Sequence, residues 1–98
     1  MKQHQYRITI EHLADSHDGP SSYDAPLQFE HGNHDDIFAV VARLAQRGDL
    51  DARFAAALGV GLKLFGEVML ENRDHPLFAG LMPHFGEFMK QLKKGPEA

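Results

Sequence analysis

The sequence predicts an α+β domain: an N-terminal antiparallel β-hairpin followed by three helices. Within the first forty residues, apolar and polar side chains alternate in two runs. From about residue 33, apolar residues recur every three or four positions, the period of a helix. The chain of 98 residues contains no cysteine, so neither disulfides nor a thiolate-bound zinc can hold the fold. A chain of this length buries roughly two-thirds of its unfolded surface, enough for one core, and residues 1–98 are expected to form a single domain.

The strands come first. Tyr6, Ile8, Ile10 and His12 alternate with Arg7, Thr9 and Glu11, the pattern of a half-buried strand. Tyr23, Ala25, Leu27 and Phe29 alternate with Asp24, Gln28 and Glu30 in the same way. The turn formers Asp18-Gly19-Pro20-Ser21-Ser22 lie between them and close the hairpin. Matching apolar with apolar sets Ile8 opposite Leu27, Tyr6 opposite Phe29, Ile10 opposite Ala25 and His12 opposite Tyr23. The same register places His4 opposite His31. Pro26 cannot donate to a ladder, so its strand is expected at an edge, leaving the far side of the first strand free. Two strands are marginal alone, and two copies joined first strand to first strand would give a four-stranded sheet across a homodimer.

Three helices are expected to follow. Asn33 is a good N-cap, with Asp35 and Asp36 in the first turn and Ile37, Val41 and Leu44 on one face. Gly48 suits the position after the helix end, and Asp49 or Asp51 can cap the next helix, which runs to about Asn72. Phe54, Leu58, Leu62, Phe65 and Met69 form its apolar stripe, widened by Val60, Leu64 and Val68, so this helix should be central. Gly59, Gly61 and Gly66 weaken it intrinsically, and close packing against a neighbour would account for them. Pro76 ends the region, and a short turn is expected over residues 77–81. The last helix starts with Pro83 at its first position, carries Phe85, Phe88, Met89 and Leu92 on one side, and stops at Gly95-Pro96.

Composition narrows the function. The formal net charge is −4, a poor match for a phosphate backbone that is gripped by lysine and arginine. The one basic cluster, Lys90, Lys93 and Lys94, complements the dipole at a helix end. Nucleic-acid binding is therefore not expected. The longest apolar region, from Phe54 to Leu70, is broken by Lys63 and Glu67, which argues against a membrane span. No signal peptide is readable at the N-terminus, and a cytoplasmic protein is expected.

Several strings have a chemical look. Gly32-Asn33-His34-Asp35 resembles one block of the dimetal phosphoesterases, but two-metal chemistry needs further Asp and His blocks that are missing. A turn glycine, a cap and acids at a helix start explain the string. The expected register brings His4 and His31 together, with His34 and Asp35 one turn later, and these four could bind zinc or nickel if they converged. His12 and Tyr23 would form an inward pair. Lys63, Glu67 and Glu71 lie on one side of the central helix, where a solvated face is the simpler expectation. Asp74-His75 has no nucleophile elbow beside it and sits where a helix ends. No catalytic set and no cofactor site can be named.

Lys2-Gln3-His4-Gln5-Tyr6-Arg7-Ile8-Thr9, Asn33-His34-Asp35-Asp36-Ile37-Phe38 and Gly61-Leu62-Lys63-Leu64-Phe65-Gly66-Glu67-Val68-Met69-Leu70 occur in this order. They are followed by His75-Pro76-Leu77-Phe78 and His84-Phe85-Gly86-Glu87-Phe88-Met89. Together these segments resemble a family of small, stand-alone bacterial proteins catalogued as a domain of unknown function. The resemblance spans nearly the whole chain. It implies an α+β fold and a bacterial origin, and it carries no activity, cofactor or catalytic residue. The leading expectation is a non-enzymatic interaction or regulatory module, acting as a homodimer with an unidentified protein partner. The alternatives are a metal- or small-ligand-binding protein using His4, His31, His34 and Asp35, and a small enzyme with His12 or Glu67 in a pocket.

Overall fold

The structure is a computed structural model in which residues 2–95 are described. Strand β1 (His4–Ile10) pairs antiparallel with β2 (Leu27–Asn33) in a two-stranded sheet. Helix α1 (Ile37–Ala45) follows, then a one-turn 3-10 helix (Ala52–Phe54), α2 (Ala55–Glu71), a four-residue α3 (Pro76–Ala79) and α4 (Met82–Lys94). The α+β class and the order of strands before helices are as expected. There are four helices among the described residues rather than three, because His75 caps a separate turn: its Nδ1 accepts from the Leu77 N–H at 3.0 Å, and Pro76 takes the first helical position.

The hairpin register differs from the expected one by two residues. Ile8 faces Phe29, Tyr6 faces His31, Ile10 faces Leu27 and His4 faces Asn33. A shift of two keeps every side chain on its expected face, so apolar matching could not distinguish the two registers. In the structure the ladder ends at Leu27, and Pro26, which has no N–H to donate, lies just beyond it. His12 and Tyr23 still meet, ring to ring at 5.1 Å, but in the exposed loop rather than the sheet.

Asp36, not Asn33, caps α1, accepting from the Ala39 N–H at 3.2 Å. The Tyr6 hydroxyl also ties β1 to this helix start: it accepts from Ile37 N at 2.9 Å and donates to Asp35 O at 3.0 Å. Gly48 adopts φ +93° just past the helix end, a conformation that glycine enters without strain. Asp51 caps the 3-10 turn through the Arg53 N–H. Met82 begins α4, one residue earlier than expected, and Pro83 sits in the first turn, where no N–H partner is needed. Helix α4 stops before Gly95, at φ +82°; Pro96, the other half of the expected stop, lies outside the described residues.

The core sits between α1 and α2. Val40, Leu44 and Ala55 are buried together, with Val41, Leu58 and Leu92 packed around them. Ile37 and Met69 are also buried. Gly59 permits this approach: a Cβ there would stand 3.0 Å from Val41 Cγ2 and 3.3 Å from Leu44 Cδ1. At Gly61 a Cβ would meet nothing, so close packing does not explain that residue. Of the expected α4 stripe, Phe85, Met89 and Leu92 are half-buried, with Leu92 on the core, whereas Phe88 is exposed. The hairpin is tied to the helices near its open end, through Gln3, Tyr6 and Asn33, while Ile10, Leu27 and Phe29 remain exposed. No helix among the described residues is long and apolar enough to cross a membrane.

Candidate functional site

Where β2 turns into α1, the chain crosses α2 and a group of polar side chains interlocks. Along α2, Ala55, Gly59, Lys63 and Glu67 recur every fourth residue, which places them on one face. The first two are small and admit α1. The last two carry opposite charges into the crossing. Glu67 is only 3% exposed, against the solvated face expected for it.

A buried carboxylate requires partners, and Glu67 has them. Its Oε1 lies 2.9 Å from His34 Nδ1 and 3.4 Å from the His34 backbone nitrogen. Its Oε2 accepts from Gln3 Nε2 at 3.1 Å. Gln3 reaches it over Gly32, where any Cβ would overlap the glutamine amide. Burial alone would raise the Glu67 carboxyl, but the His34 hydrogen bond, with one from Glu71, outweighs it and holds the group below the ordinary glutamate value.

Asn33 and Asp35 complete the crossing. Asn33 is 2% exposed; its Nδ2 donates to Lys63 O at 2.9 Å and its Oδ1 accepts from Asp35 N at 2.9 Å. The Lys63 ammonium stands 2.8 Å from Asp35 Oδ2. That hydrogen bond holds the Asp35 carboxyl below its usual range against the smaller effect of burial, and Lys93 and His34 add to it through space. Asn33, His34, Asp35, Lys63 and Glu67 line a cavity of about 370 Å³ together with the apolar Leu62, Met82, Phe85 and Met89.

The four expected metal ligands are placed as follows. His4 stands opposite Asn33, not His31, and its ring stacks on Tyr6 at 6.2 Å. His31 stands opposite Tyr6, with its Nε2 buried and unpartnered. His34 is engaged by Glu67 and Asp35 by Lys63. The structure thus brings His34 and Asp35 to one crossing with residues of α2 and sets His4 and His31 along the hairpin. Among the described residues, no three or more His, Asp or Glu side chains are grouped so that they could hold a metal ion.

Histidine 12 belongs to a different neighbourhood. Its Nδ1 lies 2.6 Å from Ser21 Oγ and its Nε2 3.7 Å from Asp15 Oδ1. The order imidazole, hydroxyl, carboxylate resembles a catalytic arrangement, but Asp15 stands beyond hydrogen-bond distance and the Ser21 hydroxyl donates to Tyr23 O rather than to the ring. Ser21 Oγ donates to Tyr23 O and accepts from Tyr23 N, which is a turn-closing role. This cluster holds the long hairpin loop together.

Chemically, the α2 crossing offers a carboxylate-oriented imidazole and an ammonium–carboxylate pair beside an apolar cavity. This arrangement ties the hairpin to α2 beside that cavity. The sequence-based reading named Glu67 only on a solvated face or in an enzyme pocket, and it gave no role to Gln3 or to Asn33 as a link. The four-residue spacing of Ala55, Gly59, Lys63 and Glu67 was the signal available.

Comparison with known proteins agrees with the fold. No match was found among curated proteins. A crystal structure at 2.20 Å resolution of a protein of unknown function from Pectobacterium atrosepticum SCRI1043 is similar over 94% of this chain and 98% of that one. It shares 38% identity and superimposes with a TM-score of 0.79. The family described as a domain of unknown function with a solved structure, DUF3861, matches residues 4–94. The chain therefore belongs to that family.

Proposed function

We propose that the chain is a non-enzymatic, cytoplasmic interaction module that works as a homodimer. The observation that carries this reading is its surface. The chain exposes 7680 Å², whereas a folded monomer of 11.0 kDa should expose about 5,600 Å². The excess, roughly 2,000 Å² per chain, is of the size that obligate dimers bury. The radius of gyration agrees: it is 16.0 Å, against about 13 Å for a compact chain of this length.

The exposed surface is also apolar in the right places. Leu27 is 61% and Ile10 53% exposed on the hairpin face, and Phe88 is 44% exposed on α4. A second copy is the occupant that would cover them. The outer edge of β1 has no strand beside it, while β2 is bordered by Pro26 and tied to α2 through Asn33. Edge-to-edge pairing of β1 with its symmetry mate would give a four-stranded sheet with the apolar residues of both hairpins on one face.

Sedimentation equilibrium tests the dimer. The expected mass is twice 11.0 kDa, shifted to the monomer by Phe29→Asp with helix content kept. A monomer at every concentration defeats the reading. Hydrogen exchange tests the pairing: with both edges of β1 covered, every amide of residues 4–10 should be slow, whereas one covered edge protects only alternate ones.

A further inference from the structure

A second cavity, of about 330 Å³, lies between α1, α2 and α4, and its chemistry is different from that of the α2 crossing. Its walls are apolar, built from Val40, Leu44, Leu62, Met89 and Leu92. Its charged residues are Arg43, Arg47, Lys63 and Lys93, with no carboxylate among the lining side chains. Four cations around one hollow stand out on a chain whose net charge is −4. Neighbouring acids account for two of them: Arg47 pairs with Asp49 at 2.6 Å and Lys63 with Asp35 at 2.8 Å. The Arg43 guanidinium has no hydrogen bond or ion pair among the described residues, and the Lys93 ammonium acts on Asp35 only through space.

We propose that this cavity binds an anionic amphiphile, a carboxylate carried on an aliphatic chain. The apolar walls would take the chain, since burying it removes hydrocarbon from water. Arg43 and Lys93 would take the carboxylate, Arg43 through the two-pronged geometry that a guanidinium offers. The lining contains no aromatic ring on which a base could stack and no glycine-rich phosphate cradle, which disfavours a nucleotide. The volume lies at the small end of the range for ligand sites, which suits a single acyl chain.

The test uses the full chain and monomeric decanoate, followed by calorimetry and by methyl-resolved NMR. Decanoate should bind saturably, one per chain, and shift the methyl signals of Val40, Leu62 and Leu92. Decanol, with the same chain and no charge, should bind about tenfold more weakly. The double variant Arg43→Gln, Lys93→Gln, with helix content checked by circular dichroism, should lose about tenfold in decanoate affinity and leave decanol unchanged. Decanol or dodecyltrimethylammonium binding as tightly as decanoate would overturn the proposal, as would methyl shifts confined to the hairpin.

Discussion

The ring and backbone nitrogens of His34 converge on one oxygen of Glu67, at 2.9 and 3.4 Å. Gln3 takes the other oxygen, so one buried carboxylate fastens the segment before β1 and the segment after β2 to the central helix. The hairpin has little other attachment to the helices. The remaining ties, Asn33 to Lys63 and Tyr6 to the start of α1, lie at the same end.

This arrangement gives stability a pH dependence of defined sign. In the folded chain Glu67 titrates below its ordinary value of 4.5, so the unfolded chain takes up the proton first as pH falls. Stability therefore rises with pH across that window. The contribution is complete above the unfolded value and is lost as pH falls through the folded one. Asp35, held down by Lys63, acts in the same direction. Urea denaturation between about pH 3 and about pH 7 should show a steeper acid loss for the wild type than for Glu67→Gln. Parallel curves would remove Glu67 as a source of the slope.

Asn33 predicts a second outcome. Its side chain spends a donor on Lys63 O and an acceptor on Asp35 N while nearly inaccessible to water. Asn33→Ala leaves both partners short and should cost about 2–3 kcal/mol. Asn33→Asp keeps the acceptor, loses the donor and sets a carboxylate against a carbonyl oxygen, so it should be no better. A capping role would give the reverse, with aspartate replacing asparagine at little loss. Denaturant midpoints of the two variants separate the cases.

The contrast between Asn33 and Asp36 shows where the sequence was readable. Both residues are good caps, both precede Ile37, and local propensity ranks them equally. What assigns Asn33 elsewhere is Lys63, thirty positions away, which no local pattern registers. The hairpin register failed for a similar reason: apolar alternation fixes the face of each strand but cannot choose between registers two apart. Helix positions were legible because their period and punctuation are local. The burial of Glu67 was not, since a glutamate on a helix is ordinarily solvated and its partners come from both ends of the hairpin. The apolar stripe of α4 was legible as a stripe, but how much of it the rest of the chain covers depends on contacts far along the sequence, such as Leu92 against the α1–α2 core.

The glycines of α2 supply the last prediction, because two of them sit in opposite surroundings. At Gly61 a methyl group would meet no atom, so Gly61→Ala should gain the intrinsic helix preference, about 1 kcal/mol. At Gly59 the same methyl would press on Val41 and Leu44, both part of the α1–α2 contact. Overpacking of this kind costs about 1–3 kcal/mol, which cancels or exceeds the helix gain. Gly59→Ala should therefore be neutral to destabilising, and Gly59→Val clearly destabilising. Thermal unfolding of the three variants checks the ordering. Equal stabilisation by alanine at both positions would mean that α1 and α2 do not pack as closely as the core requires.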